Sequence, residues 1–301
     1  MKKIISLLTI ILVFQSCSDP DNTINDVLDN YQKGAVLRTI SSSGDYNFYD
    51  QSNSVFTATI EAHDEENGAL LSNVEIFISA DSGEEVQIRT LDASEFVNGP
   101  TGLPRTTFSV SLSEVDSKIS YIGGSTVQIR LKLNLTNGRS FSTEAVTGSM
   151  TGSYFKSPYA YNKIILCNVT DGSAVPGIYT INMVDTYGDG WQDSVIKLTL
   201  DGTEYLYAMP SPYGSGVALN ATLEAYTGND DSGFGKITIP ASAKTMKWEW
   251  IEGRYPDETN YTIKYTKLDG SRPQNAFVQA SHGTAGNNAA NIGEKILSVC
   301  Q

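Results

Sequence analysis

Asp185, Tyr187, Asp189, Gly190 and Asp193 occupy positions one, three, five, six and nine of a calcium-binding loop counted from Asp185. A hard cation needs several oxygens converging at about 2.4 Å, and acids alternating about a glycine turn bring side chains and a carbonyl inward. In this register the carbonyl of Trp191 takes position seven. Tyr187 cannot supply a carboxylate at position three, and position twelve is Ile196 where an EF-hand carries Glu, so the loop is not an EF-hand. The missing acid is expected from Glu258 or Asp257, on a second loop that meets the first if their strands close as a sandwich. The competing reading is a tight glycine turn capped by Trp191, with its acids solvated.

Aromatic rings are the second chemically informative class. Trp191, Tyr205, Tyr207, Tyr213, Tyr226, Trp248, Trp250 and Tyr255 all fall in the second half, and flat rings exposed on a β surface stack against sugar rings. Trp248 and Trp250 share one strand face by the period of two, and the plainer reading makes that face core. Tyr213, Tyr255 and Trp191 sit in loops and are the candidates for an exposed ligand-binding platform. Catalysis finds little support. The two histidines, His63 and His282, accompany no G-x-S-x-G elbow, H-E-x-x-H helix or reactive cysteine. Two carboxylates suffice to hydrolyse a glycoside, but 34 acidic residues nominate no pair. A non-enzymatic chain is expected, and a net charge of −13 argues against nucleic acid as a partner.

The three cysteines divide by location. Lys2 and Lys3, the apolar run Ile4 to Phe14, then Gln15 and Ser16 lead directly to Cys17. Residues 1–16 therefore read as a signal peptide, since the apolar run is far short of the roughly 20 residues that cross a bilayer. Cleavage before Cys17 leaves 285 residues with a charge near −15, because the removed segment holds two lysines and no acid. Residues 17–33, polar and acidic, read as a flexible tether. Cys167 and Cys300 remain, and an even pair in an exported chain is expected to form a disulfide. Two buried free thiols or a metal pair are the alternatives.

The elements that must position these groups are short. From Ala35 onward, runs rich in Val, Ile, Thr, Phe and Tyr recur between Gly, Asn, Asp and Ser clusters, which is the pattern of an antiparallel all-β chain. Strands are expected at Val55 to Glu61, Val74 to Ser79, Val86 to Thr90, Thr106 to Ser111, Val127 to Leu135 and Ser140 to Glu144. The dipeptide Asn137-Gly138 should make a type I′ hairpin, and Ser111 to Lys118 one helical turn or two. A second series is expected at Ile178 to Val184, Val195 to Leu200, Thr203 to Ala208, Val217 to Ala225, Lys236 to Ile239, Thr245 to Ile251 and Tyr261 to Thr266, with Asp201-Gly202 closing a hairpin. The length suggests two domains. These are an immunoglobulin-like β-sandwich over 34–167 and a second sandwich, of jelly-roll or carbohydrate-binding-module type, over 168–301.

Several motifs resemble known families. Phe14-Gln15-Ser16-Cys17 resembles the lipobox of bacterial lipoproteins in the looser form of Bacteroidota, departing at Phe14 where many bacteria have Leu. Ser18-Asp19-Pro20-Asp21 is similar to the acidic export signal of that phylum. The resemblance implies a lipid on Cys17 and a place on the outer face of the outer membrane. Asp185-Thr186-Tyr187-Gly188-Asp189-Gly190-Trp191, with Gly253-Arg254-Tyr255-Pro256-Asp257-Glu258 downstream, resembles the D-x-Y-G-D-G-W module of secreted and surface proteins, in which Gly often stands at the place of Asp193. Val36-Leu37-Arg38-Thr39-Ile40 and Gly102-Leu103-Pro104-Arg105-Thr106-Thr107 resemble an uncharacterised N-terminal module of flavobacterial surface lipoproteins. The resemblances imply phylum, export and a place beside an outer-membrane uptake transporter. Joined to the loop acids, the aromatics and the lack of catalytic motifs, they lead to the expectation of a non-catalytic surface lipoprotein that binds extracellular polysaccharide. An adhesin contacting other proteins is the rival reading, and a glycoside hydrolase or lyase the third.

Overall fold

The computed structural model describes residues 33–152, 154–213, 231–279 and 293–301, together with the backbone of 223–224. Cys17, the signal segment, the tether up to residue 32, Tyr226, His282 and most of the strand expected at Val217 to Ala225 lie outside the described residues. The chain is all-β. Its first ten strands are β1 (Val36–Ser43), β2 (Tyr46–Asn47), β3 (Val55–His63), β4 (Leu71–Ala80), β5 (Val86–Asp92), β6 (Val97–Asn98), β7 (Pro104–Ser111), β8 (Thr126–Leu135), β9 (Ser140–Phe141) and β10 (Ala160–Leu166). They form one sheet of order β1-β3-β7-β6 and another of order β2-β10-β8-β4-β5, with β9 added to β8.

Nine more follow: β11 (Gly177–Asp185), β12 (Val195–Leu200), β13 (Thr203–Tyr207), β14 (Leu223–Glu224), β15 (Ser232–Ile239), β16 (Met246–Ile251), β17 (Thr259–Thr266), β18 (Gln274–Val278) and β19 (Gly293–Lys295). Their sheets have the orders β14-β15-β11-β17-β18 and β13-β12-β16-β19.

The period of two drives this arrangement. In β8, Val127, Ile129, Leu131, Leu133 and Leu135 are buried while the residues between them are polar and half-exposed. Antiparallel sheets with one face on a core show this alternation. In β16, Met246, Trp248 and Trp250 point inward and Lys247 and Glu249 outward, so the tryptophan face is core. Trp250 stacks on Tyr261 at 5.2 Å and meets Trp191 edge-on at 5.5 Å. The buried hydrophobic residues fall into two clusters, one running from Ala35 to Ile165 and the other from Val169 to Val299. Tyr49, from the first half, packs against the second cluster and donates from its hydroxyl to the carbonyl of Val299.

Three local features depart from the sequence reading. The 137–138 hairpin forms, but Gly138 alone takes positive φ (82°), and its N–H donates to the carbonyl of Leu135. This is a type I turn followed by a left-handed glycine, the three-residue solution rather than type I′. Asp201 (φ 47°) and Gly202 (φ 82°) do form the type I′ pair. Pairing is also not wholly antiparallel, since β2 runs parallel to β10 through Tyr46 and Ile165. Finally, the strand expected at Ser140 to Glu144 stops at Phe141 and turns into a 3-10 segment, Thr143–Ala145.

Candidate functional site

Two loops at one end of the second half carry the candidate chemistry, and strand register brings them together. Residues 186–194 cross from β11 to β12, and 252–258 cross from β16 to β17. Because β11 pairs with β17 with Asp185 opposite Thr259, and β12 with β16 with Val195 opposite Ile251, both crossovers leave the same edge. They are laced by backbone bonds. Thr186 N–H donates to the Glu258 carbonyl (2.8 Å), Arg254 N–H to the Gln192 carbonyl (2.8 Å), and Gly253 N–H to the Ser194 hydroxyl (2.9 Å).

Asp185 shapes the first loop. It is buried, and its Oδ2 accepts backbone N–H bonds from Gly188 (3.1 Å), Asp189 (2.8 Å) and Gly190 (2.6 Å), while Oδ1 accepts one from Tyr187 at 3.2 Å. An aspartate that satisfies successive N–H groups in this way folds the chain around itself. Gly190, at φ 84°, passes so near the Pro210 carbonyl that a Cβ would lie 1.8 Å from its oxygen, so no other residue fits there.

One carboxylate oxygen each from Asp185, Asp189 and Glu258 lie within 4.8 Å of one another. Oxygens this close are able to share one cation, with small side-chain shifts bringing each to about 2.4 Å, the calcium distance. Burial and the negative charges of Asp185, Asp189 and Asp257 push the Glu258 carboxyl above the usual range, a strain that a divalent cation would relieve. Calcium takes six to eight oxygens, and three of the four bonds Asp185 accepts already occupy one oxygen. The rest of the shell would therefore come from water or a bound ligand.

Asp193 and Asp257 stand outside this acidic group, and the ring of Trp191 is turned inward. Trp191 is 1% exposed, its indole N–H donates to the Val184 carbonyl (3.1 Å), and its own carbonyl accepts from Ser194 N–H (3.0 Å). Its ring belongs to the core and not to an exposed platform, and its carbonyl accepts one bond from within the loop. Asp193 takes a left-handed backbone (φ 68°) and faces Arg254, with Oδ2 at 3.6 Å from Nη2, outside the acidic group. Asp257 acts on Glu258 by repulsion and does not join the group.

Tyr213 and Tyr255 are exposed as expected, at 64% and 60%, and Tyr187 joins them at 75%. These rings, with Gln192, Arg254, Asp189 and Glu258, line a cleft of about 550 Å³, a size that receives small ligands. Tyr255 is turned outward by its own left-handed backbone (φ 53°). Sequence reasoning passed over Tyr187 and Arg254. The signal for Tyr187 was its misfit to a calcium-ligand position, and for Arg254 its place beside Tyr255. Compared with models of protein families and with curated proteins, the chain matches none.

Proposed function

We propose that this chain is a non-catalytic lipoprotein of the outer membrane, anchored through Cys17, whose second half binds extracellular polysaccharide at the tyrosine cleft. The observation that carries the reading is the convergence of three exposed tyrosines on a cleft bordered by a three-carboxylate group. Exposed rings supply stacking area at low entropic cost, and calcium at Asp185, Asp189 and Glu258 would tie the two loops that carry them. A place beside an outer-membrane uptake transporter is part of the same proposal. Replacing Cys17 by Ala should move the protein from the membrane fraction to the soluble one, and retention in the membrane would sink the anchor.

Calcium that binds only the folded state stabilises it by about 2.7 kcal/mol at a hundred times its dissociation constant. Chelation is therefore expected to lower the melting temperature, and Asp189→Ala to abolish that sensitivity. Asp193→Ala, at a residue engaged with Arg254, should have the weaker effect. Identical melting in calcium and chelator would leave the loop as a self-bonded turn.

Affinity electrophoresis through gels cast with different polysaccharides tests the binding itself. Tyr187→Ala and Tyr255→Ala are each expected to weaken retention by about threefold, and together by about tenfold. Retention unchanged in the double variant would remove the cleft from the binding surface.

A further inference from the structure

We propose that the tyrosine cleft selects acidic glycans, with Arg254 as the residue that pairs with a carboxylate or sulfate group on the sugar. The inference rests on the glycan reading above and adds the ligand's charge. Arg254 is the one cation among the described residues that line the cleft. Its side chain is 58% exposed although it belongs to a chain of net charge −13.

The guanidinium is oriented without being used up. Its backbone N–H is held by the Gln192 carbonyl, and Nη2 donates to the Tyr213 carbonyl. The Asp193 carboxylate stands 3.6 Å from that same nitrogen, longer than the roughly 2.7–2.9 Å of a charge-assisted hydrogen bond. Nε and Nη1 have no partner among the described residues. They are the half of a planar fork that receives two oxygens of a carboxylate or sulfate side by side. The exposed rings of Tyr255, next to Arg254 in the chain, and of Tyr213, whose carbonyl Arg254 holds, line the same cleft. A pyranose stacked on one of them would present its anionic substituent to Arg254.

The charge balance makes the selectivity conditional. Asp189 and Glu258 line the same cleft, so without a cation its lining carries two negative groups against one positive. Asp185 shares the acidic group, so a divalent ion brings these three carboxylates and Arg254 from a net −2 to neutral. Acidic glycan should therefore need calcium more than neutral glycan does.

The test uses the mature protein in calcium, titrated with matched polymers. One pair is polygalacturonate and its methyl ester, and the other a sulfated galactan and its desulfated form. The expected result is that at least one acidic member binds about tenfold or more tighter than its uncharged partner, as charge-assisted hydrogen bonds allow. Arg254→Gln should erase that difference, costing the acidic member far more affinity than its uncharged partner. Which pair responds separates carboxylate from sulfate recognition. Circular dichroism melting checks that the variant folds, and Arg254→Lys, which keeps the charge but loses the fork, should recover only part of the preference. Equal affinity within both pairs, or an equal loss for charged and uncharged polymers in Arg254→Gln, overturns the selectivity and leaves glycan binding standing. Absence of binding to every polymer overturns both.

Discussion

Replacing Cys167 and Cys300 together by serine is expected to destabilise the protein by up to about 5 kcal/mol. The bond joins residues 133 apart, and the chain-entropy estimate for a loop of that length is about 5 kcal/mol, relieved in the folded state only by local strain. Its position adds to the consequence. Cys167 follows β10 directly and Cys300 closes a short segment paired to it, with Val299 N–H donating to the Cys167 carbonyl and Val169 N–H to that of Leu297. The Asn168–Ser298 bridge and the Tyr49 hydroxyl on Val299 belong to the same seam. A Cβ on Gly123 would sit 2.8 Å from the Cys167 sulfur, so the first half is packed onto the bond. Urea unfolding with and without reductant gives the measurement. A midpoint unchanged on reduction would show that the hydrogen bonds alone hold the seam.

The second large effect is expected at Glu61. Its side chain is fully buried, yet it carries the two arginines of the N-terminal motifs, Arg38 at 3.0 Å and Arg105 at 2.7 Å, and accepts from the Thr101 hydroxyl at 2.6 Å. The two stretches Val36 to Ile40 and Gly102 to Thr107, far apart in sequence, thus meet on one carboxylate. Burial by itself would raise the Glu61 pKa. The hydrogen bonds from Thr101 and Arg105, with the charges of Arg105 and Arg38, overcome it and hold the carboxyl below the ordinary value.

Removing one member of such a group leaves the others unpaired, typically at 3–5 kcal/mol. The arginines keep 31% and 22% of their exposure, which places Glu61→Ala near the lower end, about 3 kcal/mol. Because the folded pKa is depressed, the stabilisation is complete above the unfolded carboxylate value near 4.5 and is lost as pH falls below it. Wild type should lose stability through that acid window more steeply than Glu61→Gln. Parallel acid profiles for the two proteins, or a cost under about 1 kcal/mol for Glu61→Ala, would remove the carboxylate from the stability of the first half.

Strands with a clean period of two were legible in sequence. β8, β11, β12 and β16 stand within one or two residues of their expected bounds, because alternate burial on one face is written residue by residue. The short strands β2 and β6 were not, since two residues carry no period and owe their pairing to a neighbour, and β9 was expected at its start but ends at Phe141 short of Glu144. The dipeptide Asn137-Gly138 marked a turn correctly, but the number of residues between the paired strands, which the dipeptide does not encode, chose its type.

At the site, the approach of Glu258 to Asp185 and Asp189 follows from two crossovers at one sheet edge and was inferable once the sandwich was assumed. Trp191 was not. A loop tryptophan reads as exposed, and only the capping of four N–H groups by Asp185 turns the chain so that the ring enters the core.

The most direct test of the account is the electrophoretic mobility of the mature wild-type protein through polysaccharide gels, run in calcium and again in chelator. Retardation by at least one polysaccharide is expected in calcium, lost on chelation and absent in a folded Asp189→Ala variant. Mobility that is the same with and without every polysaccharide tried, or retardation that survives chelation undiminished, would contradict a cation-held tyrosine cleft as the binding site.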